Sequence, residues 1–254
     1  MRIKIINIMV ICLSLVFCAS AQKKLEDQRV EDPVHQYNMG LFYLNNNQVE
    51  EAVKYFNKAL TLKPNYDLAL CGLGLANSMK GDLRESMKYF QKCLQVNPAL
   101  TEAHNYLGVV YQEMGFIDKA EEEFKKVFLD KNYHSKELAF YNLSRLYFSQ
   151  EKFKKALDYA QLSTKENIRF AMGYNLQGLI HERLENLPQA IKSYERALGI
   201  AKNEVNFSYN LAIALFKNGE FTRAKDIFEK ISLTVTDPDM REKINQYLNV
   251  INKK

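Results

Sequence analysis

GLFYLNNNQVEEAVKYFNKALTLKP runs from Gly40 to Pro64, and GLANSMKGDLRESMKYFQKCLQVNP runs from Gly74 to Pro98, 34 residues further on. Gly108 and Phe124 extend the two strongest columns of that alignment, Gly40/Gly74 and Phe56/Phe90, into a third copy. The spacing reaches beyond the copies that are easily seen. A small residue followed twelve positions later by another small residue recurs as Gly40/Ala52, Gly74/Ser86, Gly108/Ala120, Ser144/Ala156, Gly178/Ala190 and Ala212/Ala224. The reason is steric: where the two antiparallel helices of a hairpin cross, a larger side chain at the contact forces the axes apart. An aromatic one helical turn after the second small residue shares its face and fills the groove. Phe56, Phe90, Phe124, Tyr194 and Phe228 hold that place, and Ala160 is the gap.

This pattern resembles the tetratricopeptide repeat, a helix-turn-helix unit of 34 residues. The resemblance implies an all-α fold, a right-handed α-solenoid of six repeats at 33–66, 67–100, 101–134, 137–170, 171–204 and 205–238. Two extra residues between the third and fourth repeats, within 130–136, predict a local offset. Some positions depart from the pattern: Gln177 stands where an apolar residue is usual, and Asn77 and His181 where an aromatic is. Residues 239–254 carry an apolar stripe of Met240, Ile244, Tyr247, Leu248 and Ile251, while Arg241, Glu242, Lys243 and Asn245 are expected to face away. They read as a capping helix, whose polar outer side closes the apolar end of a repeat stack.

The chain opens with MRIKIINIMVICLSLVFCASA, in which Arg2 and Lys4 precede an uncharged apolar run that ends in Ala19-Ser20-Ala21. That is the charged, apolar and small-residue order of a secretory signal. The run from Ile5 to Phe17 is shorter than the ~20 residues of a membrane-spanning helix. Residues 1–21 are therefore expected to be cleaved, leaving a tether at 22–32 and an exported chain, periplasmic or secreted. The alternative is lipidation at Cys18, with Leu15 three positions before it, which would anchor the chain in the outer membrane and is its one route to a membrane. Phe17 stands where lipoprotein signals want a small residue. Of the net charge of +5, two units belong to Arg2 and Lys4, too weak a balance for nucleic acid to be the expected partner.

No catalytic constellation is apparent. The chain lacks phosphate-cradling glycine loops, H-E-x-x-H and C-x-x-C. His35, His104, His134 and His181 are scattered, whereas a metal site needs clustered ligands. Glu121-Glu122-Glu123 opens a second helix, where carboxylates meet the helix dipole favourably. Neither cofactor nor metal is expected, and the chain reads as non-enzymatic. Cys93 takes the place of the small residues Ala59 and Ala197, which favours two separate thiols over a Cys71–Cys93 bridge. Asn142 and Asn206, both in N-x-S sequons, fall within predicted helices and read as packing residues rather than glycan sites.

The family resemblance implies that the first helix of each hairpin lines the binding face. Its carried-over positions offer Val34, Tyr37, Leu41 and Leu44, then Leu75, Asn105, Tyr141, Arg145, Phe148, Asn175, Tyr209, Ile213 and Phe216. Val34, Tyr37, Leu41 and Leu44 form an apolar stripe in addition to the packing set Met39, Gly40 and Tyr43, so the first helix has two apolar faces. The set that clamps a C-terminal carboxylate in some members is missing. The expected function is that of an exported protein-interaction scaffold holding a peptide or helix of a cell-envelope partner. A signal followed by six repeats also resembles the type IV pilus pilotins, outer-membrane lipoproteins that assist secretin assembly. A regulatory subunit of an enzyme complex is the alternative from another class.

Overall fold

The computed structural model describes residues 31–253, so the signal at 1–21, Cys18 and the tether up to Val30 lie outside the described residues. Among the described residues the regular structure is helical throughout. The helices are α1 (Pro33–Asn45), α2 (Val49–Leu62), α3 (Asp67–Met79), α4 (Leu83–Val96), α5 (Thr101–Glu113), α6 (Ile117–Lys126), α7 (Lys136–Ser149), α8 (Phe153–Glu166), α9 (Ala171–Arg183), α10 (Leu187–Ile200), α11 (Val205–Lys217), α12 (Phe221–Ser232) and α13 (Pro238–Ile251). They divide into two compact units, one ending at Phe116 and the other beginning at Ile117.

The turn inside each hairpin repeats in atomic detail. Asn47, Gly81, Gly115, Glu151, Glu185 and Gly219 all adopt left-handed φ angles, between 57° and 84°. Each follows a first helix by two residues and donates its backbone N–H to a carbonyl three residues back, as Asn47 does to Leu44 at 3.0 Å and Gly219 to Phe216 at 3.1 Å. The next residue reaches five back, as Gln48 N–H does to the Tyr43 carbonyl at 2.8 Å. This is the Schellman stop, which satisfies carbonyls that a helix end would otherwise leave bare. Asp82 and Asn186 then cap the second helix, accepting from the N–H groups of Glu85 and Gln189. The left-handed residues are 34 apart except between Gly115 and Glu151, where the two extra residues enter. That insertion is taken up after α6, which is short and runs into a 3-10 turn at Val127–Leu129, with Phe128 stacked on Phe140 at 4.3 Å.

The small-residue pairs lie at the hairpin crossings. A Cβ placed on Gly40 would come within 2.5 Å of the Phe56 ring, and one on Gly178 within 2.3 Å of Tyr194. A Cβ placed on Gly72 would come within 2.6 Å of the same ring, so Phe56 of α2 is held between α1 and α3. Full burial of such a ring stabilises by about 1.5–3 kcal/mol. Where a pair contains serine, its hydroxyl is satisfied locally: Ser86 donates to the Gly74 carbonyl and Ser144 to the Ala156 carbonyl, each at 2.8 Å.

Ala160 and Gln177, two departures from the repeat pattern, meet each other. The Gln177 side-chain amide is buried and donates to the Ala160 carbonyl at 3.0 Å and to the Thr164 hydroxyl at 2.8 Å. A polar group thus occupies ground left by the missing aromatic, at no cost in unmade hydrogen bonds.

Cys71 on α3 and Cys93 on α4 form a disulfide, with Cα atoms 5.6 Å apart. This corrects the expectation of separate thiols. The small position at Cys93 faces its own partner helix closely enough to bring the two sulfurs together. Asn206 also departs from expectation: it is exposed in the first turn of α11, whereas Asn142 is buried in α7.

Candidate functional site

In the first unit, the first helices build a pocket of about 350 Å³. Tyr37 and Leu41 come from α1, Leu68, Cys71, Gly72 and Leu75 from α3, and Leu100, Glu102 and Tyr106 from the start of α5 and the residue before it. The Tyr37 ring is fixed by Tyr66 at 5.6 Å and Phe56 at 5.9 Å, and Tyr106 stacks on Phe90 at 5.7 Å. Burial, followed by the nearby Tyr66 phenol, pushes the Tyr37 hydroxyl above its ordinary value, so it stays a neutral donor and acceptor. The disulfide joins α3 to α4 behind this wall, and Cys71 contributes to the lining.

Two residues expected on this face are withdrawn from it. Leu44 is buried in a cluster with Ala52, Phe56, Leu73 and Ala76, and Asn105 is buried in α5. Leu44 lies one turn after Gly40 and two after Gln36, the other buried residues of α1, so it belongs to the row packed in the core and not to the pocket face. Val34 is half exposed and stands outside the pocket lining.

In the second unit, Tyr141, Arg145 and Phe148 share a face of α7. The Arg145 guanidinium lies over Tyr141 at 5.8 Å, and Arg183 from α9 lies over Phe148 at 5.6 Å. Tyr141 also packs edge-on against Phe170 at 5.5 Å. Asn175 on α9 accepts from the Asn210 amide of α11 at 3.0 Å. Tyr209 and Phe216 on α11 line a pocket of about 440 Å³, and Ile213 packs half-buried between them in sequence.

The remaining walls of that pocket come from α13, through Lys243, Gln246, Tyr247 and Val250. Tyr247 stacks on Phe228 at 5.1 Å and meets Phe216 edge-on at 5.0 Å. The apolar stripe of this helix predicts a cap with Lys243 on its outer side, whereas Lys243 lines the pocket. Lys243 and Tyr247 are one turn apart and share a side, a spacing that could have revealed the wall.

Contrary to expectation, the acidic run does not open its helix: it lies past the first turn of α6, whose acid is Asp118, and its carboxylates meet the lysines of the last turn. Glu121 pairs with Lys125 at 2.5 Å, and Lys126 bridges Glu122 and Glu123 at 3.0 and 2.9 Å. Among the described residues no group of His, Cys, Asp or Glu could hold a metal ion, and no helix is long and apolar enough to cross a membrane.

Four tetratricopeptide repeat profiles match residues 35–66, 68–100, 141–205 and 183–246, together more than half of the chain. The chain belongs to the tetratricopeptide repeat family. Its fold is shared with solved structures of low sequence identity. PilW, described as a widely conserved type IV pilus biogenesis factor, is 14% identical with a TM-score of 0.77, over 84% of this chain and 97% of that one. PilF of Pseudomonas aeruginosa is 15% identical with a TM-score of 0.74, over 86% and 99%. A chain of the APC/C hetero-tetramer Cut9-Hcn1 is 18% identical with a TM-score of 0.74, over 92% of this chain but 45% of that one, so the chain spans less than half of its length. No curated protein sequence matched. As a tetratricopeptide repeat protein, the chain is a protein-interaction scaffold, and stacked first helices provide the surface on which such repeats hold partners.

Proposed function

We propose that this tetratricopeptide repeat protein is an exported, non-enzymatic scaffold that holds a peptide or helix of a cell-envelope protein against its first helices. The observation that carries the reading is the pocket built from Tyr37, Leu41 and Leu75, an apolar recess with polar edges at Glu102 and the Tyr37 hydroxyl. Such recesses take an anchoring apolar side chain, with a few polar groups setting its orientation. Export is supported by the opening residues 1–21 and by the Cys71–Cys93 bridge, since disulfides persist in oxidising compartments. Site-specific photo-crosslinking from Leu75 in intact cells tests the partner, with the Tyr37→Ala, Leu41→Ala variant as control. Loss of one crosslinked envelope protein in that variant is the expected result; an unchanged crosslink pattern refutes this site.

A second reading, a pilotin-like outer-membrane lipoprotein that assists pilus assembly, is favoured by Cys18 and by similarity along nearly the full length of PilF and PilW. The mass and first residue of the native chain separate the two. An acylated Cys18 in the outer-membrane fraction supports the pilotin reading, and a soluble chain beginning at Gln22 supports the scaffold without an anchor.

A further inference from the structure

The face presented by α7, α9 and α11 combines cations with aromatic side chains in a way the first unit's pocket does not. Arg145 and Arg183 are exposed, and each guanidinium is laid against an aromatic ring of α7. Neither has a carboxylate of the described residues within ion-pair distance. The acid on the same face, Glu182, is already engaged: it accepts from the buried Tyr194 hydroxyl at 2.7 Å and pairs with Lys217 at 2.6 Å. A guanidinium resting on a ring keeps its outward N–H groups aimed and loses less freedom when it forks onto a carboxylate. At the other end of the unit, the pocket of Tyr209, Phe216, Tyr247 and Val250 has Lys243 as its cationic member and no acid in its lining.

We propose that this face binds a segment of a protein partner carrying a side-chain carboxylate on Arg145 and Arg183 and a bulky apolar side chain in the Tyr209–Tyr247 pocket. Charge complementarity selects this occupant: the face offers three cations, Arg145, Arg183 and Lys243, that form no ion pair among the described residues, beside an aromatic recess. Neighbouring helix axes lie about 8–10 Å apart, so the two subsites are separated by roughly one or two helix spacings. An extended strand of about three to six residues spans that distance at ~3.3 Å per residue. The inference rests on the scaffold reading above and adds the chemistry of the partner.

The test is selection of a phage-displayed random dodecamer library on the purified chain, with enriched peptides measured by fluorescence anisotropy. Enriched sequences are expected to carry Asp or Glu about three to six residues from Phe, Tyr, Trp or Leu. Arg145→Glu with Arg183→Glu should weaken them at least tenfold, in keeping with loss of charge-assisted hydrogen bonds. Val250→Asp, which places a carboxylate at the exposed pocket mouth, should weaken them similarly. Lys230→Glu, a charge reversal on the second helix α12, should not. Enrichment of peptides without acidic residues, still weakened by Val250→Asp, overturns the carboxylate subsite and leaves the scaffold reading standing. Peptides indifferent to both sets of changes, or no enrichment at all, overturn this face as a binding surface.

Discussion

Replacing Glu151 and Glu185 by glycine should stabilise the protein, although each change removes a side chain and adds none. Both residues hold left-handed backbone, at φ of 59° and 58°, where the equivalent turns have Gly81, Gly115 and Gly219. A residue with a Cβ costs roughly 1–2 kcal/mol in that conformation. Each carboxylate also sits just past a helix C-terminus, an unfavourable end for a negative charge by a few tenths of a kcal/mol. Against this, glycine gives the unfolded chain more freedom, which costs about 0.4–1 kcal/mol. Both glutamates are exposed and form none of the ion pairs described, so little contact energy is lost. The net expectation is about 0.5–1 kcal/mol per site, additive because the turns belong to different hairpins. Thermal unfolding followed by circular dichroism should show Tm rising about 1–4 °C for each change. The converse, Gly219→Ala, should lower stability by a similar amount, and there a Cβ meets nothing within 4 Å, so backbone strain alone is measured. A neutral or destabilising Glu185→Gly together with a neutral Gly219→Ala would refute the strain argument.

Glycines inside helices should respond in opposite directions. Gly178→Ala forces a Cβ into the Tyr194 ring and should destabilise by about 1–3 kcal/mol, whereas Gly199→Ala, with open space around it, should stabilise by about 0.5–1 kcal/mol in urea titrations. Breaking the Cys71–Cys93 bridge with Cys93→Ala should cost about 3 kcal/mol, the loop-closure value for this separation; recovery of two alkylated thiols from the native chain would overturn the bridge itself. Burial, reinforced by the hydrogen bond to Glu182, raises the Tyr194 hydroxyl above its ordinary value. Because the folded state then holds its proton longer than the unfolded state, this contribution is complete below pH ~10 and falls above it, by up to ~1.4 kcal/mol per pH unit. Tyr194→Phe should flatten that alkaline decline in urea midpoints measured from pH 9 to 11, and an unchanged decline would show that Tyr194 does not titrate late.

Much of the fold was legible because its determinants are local and periodic. Gly40, Phe56 and their counterparts recur at fixed spacing since each hairpin solves the same crossing problem, so a single sequence exposes both the helices and their pairing. The left-handed turn was only half legible: Gly81, Gly115 and Gly219 mark it, while Asn47, Glu151 and Glu185 hide it, because a favourable hydrogen-bonded stop tolerates a moderate backbone cost. The face of the first helices was legible as a list of positions. Which of them remain at the surface was not, as Leu44 and Asn105 show.

What the sequence alone determined is the repeat, the helix order and the absence of any recognisable catalytic motif, all of which follow from spacing along one chain. Tertiary structure decided the matters that depend on two distant residues meeting. It joined Cys71 to Cys93, satisfied Gln177 in the space beside Ala160, and made α13 a pocket wall carrying Lys243 and Tyr247. The physical reason is that periodicity fixes which face of a helix is apolar, whereas distances of a few ångströms between helices fix bonds, buried hydrogen bonds and pockets, and those distances depend on every side chain packed between the axes.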